Sequence, residues 1–295
     1  MSSNTIVNTN VLALNSHRAL RQVGVQQSRA SARLSSGMKI NSGADDAAGL
    51  AISEKMRSQI RGLDMASKNA QDAISLIQTA EGGMAEINNM VQRIRELTVQ
   101  AANDTNQKFG DADQAATDTI KLAQEAVQLV REIDAMAHRT EFNKKKLLTD
   151  SAGGTTTDLQ QAFHMQVGAN AGQSLNVVIR NITAELIGLE ESAVSNAIYS
   201  GAETASSFLS EIDDALRYVS EERANLGALQ NRLEHTIKSL DITSENTSAS
   251  ESRIRDADMA KEMMNISKAN VLQQAATSML AQANQAPQNI LQLLR

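Results

Sequence analysis

Cysteine is absent from this 295-residue chain, proline occurs once, and the aromatic residues are four Phe, two Tyr and no Trp. Without cysteine there can be no disulfide, no thiol nucleophile and no thiolate metal site, although the cellular compartment stays open. With only Pro287 to interrupt them, helices can run long. So few rings cannot fill a typical globular core, so Ala, Leu, Ile and Met must carry the packing, and alanine seams let helix axes approach closely. Chemistry-bearing patterns are equally scarce. The four histidines, His17, His138, His164 and His235, are isolated from one another and no H-E-x-x-H pair occurs, which speaks against a metalloenzyme. Phosphate-binding loops, G-x-S-x-G elbows and dinucleotide fingerprints are missing too, so no cofactor and no catalytic role is expected. Net charge is −6, from 28 basic and 34 acidic residues. The densest basic patch, Lys144-Lys145-Lys146, reads as a solvated turn, and nucleic acid is not an expected partner. No apolar run approaches the ~20 residues of a membrane helix. The first residues, Met1 to Asn8, hold neither a basic leader nor a continuous apolar stretch, so no cleaved secretory signal is expected.

What the chain does have is register. A sevenfold series runs Leu63, Ala70, Ile77, Met84, Val91, Thr98, with a partner series Ala66, Ala73, Ala80, Ile87, Ile94, Ala101 three residues on. The same count from Ala205 gives Ile212, Val219, Leu226, Leu233, Leu240, Thr247 and Ile254, with Leu209, Leu216 and Ile237 beside it. Both are coiled-coil-like stripes. A stripe this narrow stabilises, at roughly 25 cal/mol per Å², only when another helix covers it. Lying far apart in sequence, the two stripes predict a chain that leaves along one helix and returns along the other. The expected fold is mainly all-α, an elongated antiparallel coiled-coil rod built from N- and C-terminal helices with a small β-hairpin region.

Periodicity divides the chain further. Residues 4–34 form a first helix whose apolar face is interrupted by Arg18, Arg21 and Gln22 and needs a partner to order. A turn-rich stretch, Ser35 to Gly43, precedes a second helix that begins near Asp45 and Asp46 and reaches Asn103. Gly82-Gly83 inside it reads as a tolerated close approach or bend. A third helix runs from about Gln114 to His138. From 139 to 202 helical periodicity is lost, and the segments around Phe163–Val167 and Leu175–Ile179 predict two short strands about a Gly-Asn turn, the sole β signal. A return helix follows Gly201, a polar break is expected over Thr243 to Ser252, and a last helix from Asp256 to Gln285 ends before Pro287.

Several of these segments resemble bacterial flagellins. Ser35-Ser36-Gly37-Met38-Lys39-Ile40-Asn41-Ser42-Gly43-Ala44-Asp45-Asp46-Ala47-Ala48-Gly49-Leu50-Ala51-Ile52 is similar to the N-terminal signature of that family. Gln92 to Ala101 resembles its Q-R-x-R-E-L segment, Thr140-Glu141-Phe142-Asn143 its T-x-F-N turn, and Met279 to Leu294 its C-terminus almost position for position. The resemblance spans about residues 1–180 and 203–295. It implies a structural subunit that self-assembles into the helical flagellar filament for motility, extracellular and passed unfolded through a type III export channel. It also implies an inner terminal-helix domain from 1–44 with 255–295, a helical rod domain from 45–179 with 203–254, and a truncated variable region at 180–202.

Partners and sites follow from the same resemblance together with the stripes. The subunit's main partner is itself, with an export chaperone, the filament cap and hook-associated proteins, and possible recognition by a host's Toll-like receptor five. Polymerisation is expected to involve Val11, Leu14, Leu20, Val271, Leu272, Ala275, Met279, Leu280 and Leu294, apolar positions of terminal helices whose stripes are incomplete in one copy. Receptor contact, by the resemblance, would fall on Gln92, Arg93, Leu97 and Glu125. A hook–filament junction protein is the alternative, sharing the paired-helix plan. An enzyme on this frame would need an insertion at 180–202, where the stretch is too short to hold one.

Overall fold

The computed structural model describes residues 9–103, 112–149, 160–199 and 202–293. The elements in order are α1 (Val11–Ser36), α2 (Ala47–Ala101), α3 (Ala112–Arg139), β1 (Glu141–Phe142), β2 (Lys145–Lys146), β3 (Gln160–Gln166), β4 (Ser174–Arg180), α4 (Glu191–Tyr199), α5 (Ala202–Arg255) and α6 (Met259–Leu293). Contacts divide the chain into one unit of Met1–Ile60 with Glu245–Arg295 and a second of Arg61–Ser244. The division falls inside α2 and inside α5.

In the 61–244 unit, α2 and α5 run antiparallel. Asp64 accepts a hydrogen bond from Ser244 at 3.0 Å, and Ser67 donates to Asp241 at 3.2 Å. Further along, Arg223 faces Glu81 at 3.6 Å and Arg95 donates to Asp213 at 2.9 Å, so the partners descend α5 as α2 ascends. Both sevenfold series of α2 are buried from Leu63 to Ala101, and so is the α5 series from Ala205 to Leu240. α3 adds Ala123, Ala126, Val130, Ile133 and Ala137, one side of a helix, and the core is continuous with Leu147, Leu148, Val177 and Ile179. Gly83 marks a close approach, since a Cβ there would lie 2.6 Å from Thr140 Oγ1 and 3.1 Å from Leu148 Cδ1. Its neighbour Gly82 faces open space.

The β3–β4 hairpin pairs Phe163 with Val177 and Met165 with Leu175, antiparallel. Its turn is pinned to α2. A Cβ on Gly62 would lie 2.9 Å from the Cβ of Ala169, and Asn69 donates to the Gln166 carbonyl at 3.1 Å.

Four sequence expectations need correction. A second, two-residue hairpin exists, β1–β2, turning through Asn143 (φ 51°) and Lys144 (φ 63°). It was invisible because the preferred Asn-Gly is replaced by Asn-Lys. The stretch 139–202, expected to lose helical periodicity, holds the helix α4. Ile182, Ile187, Leu189, Val194 and Ile198 from this stretch are buried, and Asp134 of α3 accepts from the Ala184 N–H at 2.8 Å. Over Thr243 to Ser252, α5 continues unbroken. Hydroxyls there return to the helix, with Thr243 donating to the Ser239 carbonyl at 2.7 Å and Ser250 to that of Asn246 at 2.8 Å, so polarity alone does not end it. α6 also passes through Pro287 to Leu293, a proline costing a helix one hydrogen bond without compelling it to stop.

Candidate assembly surface

The 1–60 with 245–295 unit is organised by the α1–α6 helix pair and a tie between the connectors that lead out of it. Asn10 caps α1, accepting from the Ala13 N–H at 2.9 Å, and its amide donates to the Ala283 carbonyl at 2.7 Å. Gln27 donates to Asn270 at 2.7 Å, and Arg33 faces Glu262 at 3.6 Å, so α1 and α6 are antiparallel. Gly37, at φ 71°, ends α1 and returns its N–H to the Arg33 carbonyl at 2.9 Å. Asp46 receives the Gly49 N–H at 2.9 Å at the start of α2, and Asp258 that of Lys261 at 3.2 Å at the start of α6. Between the helices the connectors pair, Lys39 N–H to the Arg255 carbonyl at 2.7 Å and Ala257 N–H to that of Gly37 at 2.9 Å. Arg255, buried, reaches Glu54 at 2.5 Å and Met38 Sδ at 3.2 Å. Asp45 accepts from the backbone N–H groups of Asn41 and Ser42, which hold its carboxyl below the usual carboxylate range.

The α1–α6 seam contains little that is large. Among the described residues its buried apolar side chains are Ala30, Ala269 and Ala283. Leu20 lies on the α1 stripe with Gln27 and Ala30, and Leu280 on the α6 stripe with Glu262 and Ala269; both are half-buried within the pair. Outside that seam sit most of the expected polymerisation residues. Val11 is 57% exposed, Leu14 59%, Val271 65% and Met279 53%, with Leu272 and Ala275 also exposed. Val11 and Leu14, joined by Val25, occupy the side of α1 opposite Leu20 and Ala30, while Met264, Val271, Leu272, Ala275 and Met279 form one broad face of α6. Sequence reasoning missed Leu12, Val25, Met259, Met263 and Met264, all exposed, though helical spacing from Val11 and Val271 would have found Val25 and Met264. Leu294 lies outside the described residues. Such a surface offers area without polar chemistry. Among the described residues no group of three or more His, Cys, Asp or Glu could hold a metal ion, and no helix is long and apolar enough to cross a membrane.

The second set of expected residues is split. Arg93 of α2 donates to Glu125 of α3 at 2.8 Å and to Glu96 at 2.9 Å, and these bonds, Glu125 first, hold its guanidinium above the ordinary arginine range. Gln92 is exposed beside it. Leu97, however, is 1% exposed and belongs to the α2 core stripe, so its side chain offers nothing to a receptor.

Residues 7–153 match the model of the bacterial flagellin N-terminal helical region, and 209–294 that of the C-terminal helical region. The chain belongs to the bacterial flagellins. A flagellin of Halalkalibacterium halodurans is 50% identical over 98% of this chain and all of its own length, and one of Bacillus subtilis 48% identical over 98% and 99%. Flagellins are structural proteins of the motility filament, and this chain is such a filament subunit. A solved structure described as a flagellar hook-associated protein of Vibrio parahaemolyticus shares the fold, with a TM-score of 0.56 and 13% identity over 72% of this chain and 100% of that one. That likeness speaks to fold alone, and against flagellin relatives of such high identity the junction-protein alternative is not favoured.

Proposed function

We propose that this flagellin polymerises by burying the outward apolar faces of α1 and α6 against neighbouring copies, so that 1–44 with 255–295 line the filament's inner layer and 45–179 with 203–254 the layer outside it. The observation that carries the reading is the contrast within the α1–α6 pair: alanines inside, Val11, Leu14, Val271, Leu272 and Met279 outside. Transfer of such side chains out of water favours association by roughly 1.5–3 kcal/mol each when burial is complete. A subunit whose contacting patches differ, and whose rotation does not close, grows an open helix instead of a ring. The α6 segment, apolar and uncovered before assembly, is also where an export chaperone would bind, and hook-associated and cap proteins would meet the same helices at the filament's ends. Export without a cleaved signal and an extracellular location belong to this reading.

The test is seeded polymerisation followed by sedimentation and electron microscopy. Leu14→Ser with Val271→Ser should leave helicity unchanged and abolish long filaments. Filaments of normal length from that variant would overturn the proposal, as would normal filaments from a chain truncated before Gln285. A receptor role for the exposed Arg93–Glu125 pair is a second reading; undiminished binding of Toll-like receptor five by Arg93→Ala would remove it.

A further inference from the structure

We propose that the methionines of α6 are a modification site at which peroxide-class oxidants switch off assembly of the free subunit. The inference rests on the assembly reading above and adds a chemistry to the same face. With no cysteine in the chain, the thioethers are its most readily oxidised side chains. Their distribution is uneven. Among the described residues five methionines are exposed, Met65, Met259, Met263, Met264 and Met279, and all but Met65 lie on α6. Met84, by contrast, is fully buried in the α2 stripe.

Met264 and Met279 stand on the same broad face as Val271, Leu272 and Ala275, while Met259 and Met263, one helical turn apart, stand on another. Two-electron oxidation transfers one oxygen atom from a hydroperoxide to the thioether sulfur. The O–O bond breaks, an S–O bond forms, the sulfur is oxidised, and the peroxide is reduced to water or an alcohol. The product is a polar, chiral side chain with a strong acceptor oxygen. Buried in a contact with no donor to meet it, that oxygen carries a desolvation penalty, so a sulfoxide on this face opposes the burial that drives association. Folding of the monomer is barely affected, because these four side chains are exposed in it. In an assembled filament the face is covered and oxidant cannot reach it. The subunit is therefore sensitive before assembly and protected after it, and sulfoxide reduction restores competence.

The experiment treats purified monomer with hydrogen peroxide, locates sulfoxides by peptide mass spectrometry, and measures the concentration needed for seeded polymerisation. Sulfoxides are expected at the four α6 methionines and not at Met84, with unchanged helicity and at least a tenfold rise in the concentration required. Methionine sulfoxide reductases of both epimer specificities should return that concentration to its starting value. A variant with Met259, Met263, Met264 and Met279 each changed to Leu should show the same concentration requirement before and after the treatment, whatever its starting value, whereas Met65→Leu should show as large a rise as the parent. Oxidised parent that polymerises normally overturns the proposal, as does an oxidised block that the reductases cannot lift. Peroxide given to finished filaments should leave Met264 and Met279 unmodified; equal modification in both states overturns the protection. Failure of the assembly reading itself is separable, because it would show as Leu14→Ser with Val271→Ser polymerising normally with no oxidant present.

Discussion

The 61–244 unit and the α1–α6 pair are built from the same kind of helix, yet one closes its apolar stripes and the other leaves them open. α2 meets α5, α3 and a hairpin, and side chains as large as Ile77, Met84, Ile87 and Ile94 vanish from solvent. Among the described residues α1 packs on α6 with only alanines fully buried between them, and Val271 remains 65% exposed. A helix with an apolar stripe needs neighbours enough to surround it, and the proposed function assigns that part to other copies.

The sharpest way to break this contrast is to make one truncation in each region. Ile87→Ala should cost ~2–5 kcal/mol in denaturant unfolding followed by circular dichroism, the range for emptying a packed core site. Val271→Ala should cost less than about 0.5 kcal/mol in the same measurement, as exposed substitutions do. Similar losses at both sites would erase the distinction. A smaller effect concerns how tightly the closed region is packed. Gly83→Val forces a branched side chain against Thr140 and Leu148 and should lower stability by ~1–3 kcal/mol. Gly82→Ala, facing open space one residue away, should raise it by up to ~1 kcal/mol through helix propensity.

Smaller still is the strain in the β1–β2 turn. Lys144→Gly, at a φ of 63°, should raise the thermal midpoint slightly, by at most about 1 kcal/mol in stability. The least effect belongs to the open region. Asp45 has a depressed pKa because its ionised carboxyl accepts the Asn41 and Ser42 N–H groups. Its contribution is thus present above the unfolded carboxylate's pKa and lost as pH falls through the lower folded value. Amide exchange at Asn41 and Ser42 should quicken in that acid window, and Asp45→Asn should remove the dependence on pH.

Strong periodicity was readable from sequence wherever burial enforces it. Each member of the α2 double series is buried, and so is the α5 series as far as Leu240, because one misplaced residue would turn the stripe to water. The Phe163 to Ile179 hairpin was legible for the same reason, alternation against a core. What escaped was set by local or tertiary detail. α4, nine residues long, is too short to print a period, and Thr243 to Ser252 looked like a break only because back-bonding hydroxyls cannot be seen in a sequence. For the terminal apolar residues, the sequence did not show which turn inward. Leu20 and Leu280 face the partner helix while Val11 and Val271 face out, and that choice depends on the rotation of α1 against α6. Leu97 was misassigned because a matching motif identifies a helix and says nothing of which side of it is available.

The tie between the two connectors constrains time as well as space. Arg255 reaches Glu54 across 201 residues, and Asn10 reaches Ala283 across 273. Closing such long loops is entropically costly and slow, and none of these bonds can form while the distal part is still being synthesised. Until α6 emerges, a nascent chain holds α1 with no partner helix to register against. Maturation of this end of the molecule therefore waits on the synthesis of α6, whatever the rest has already done.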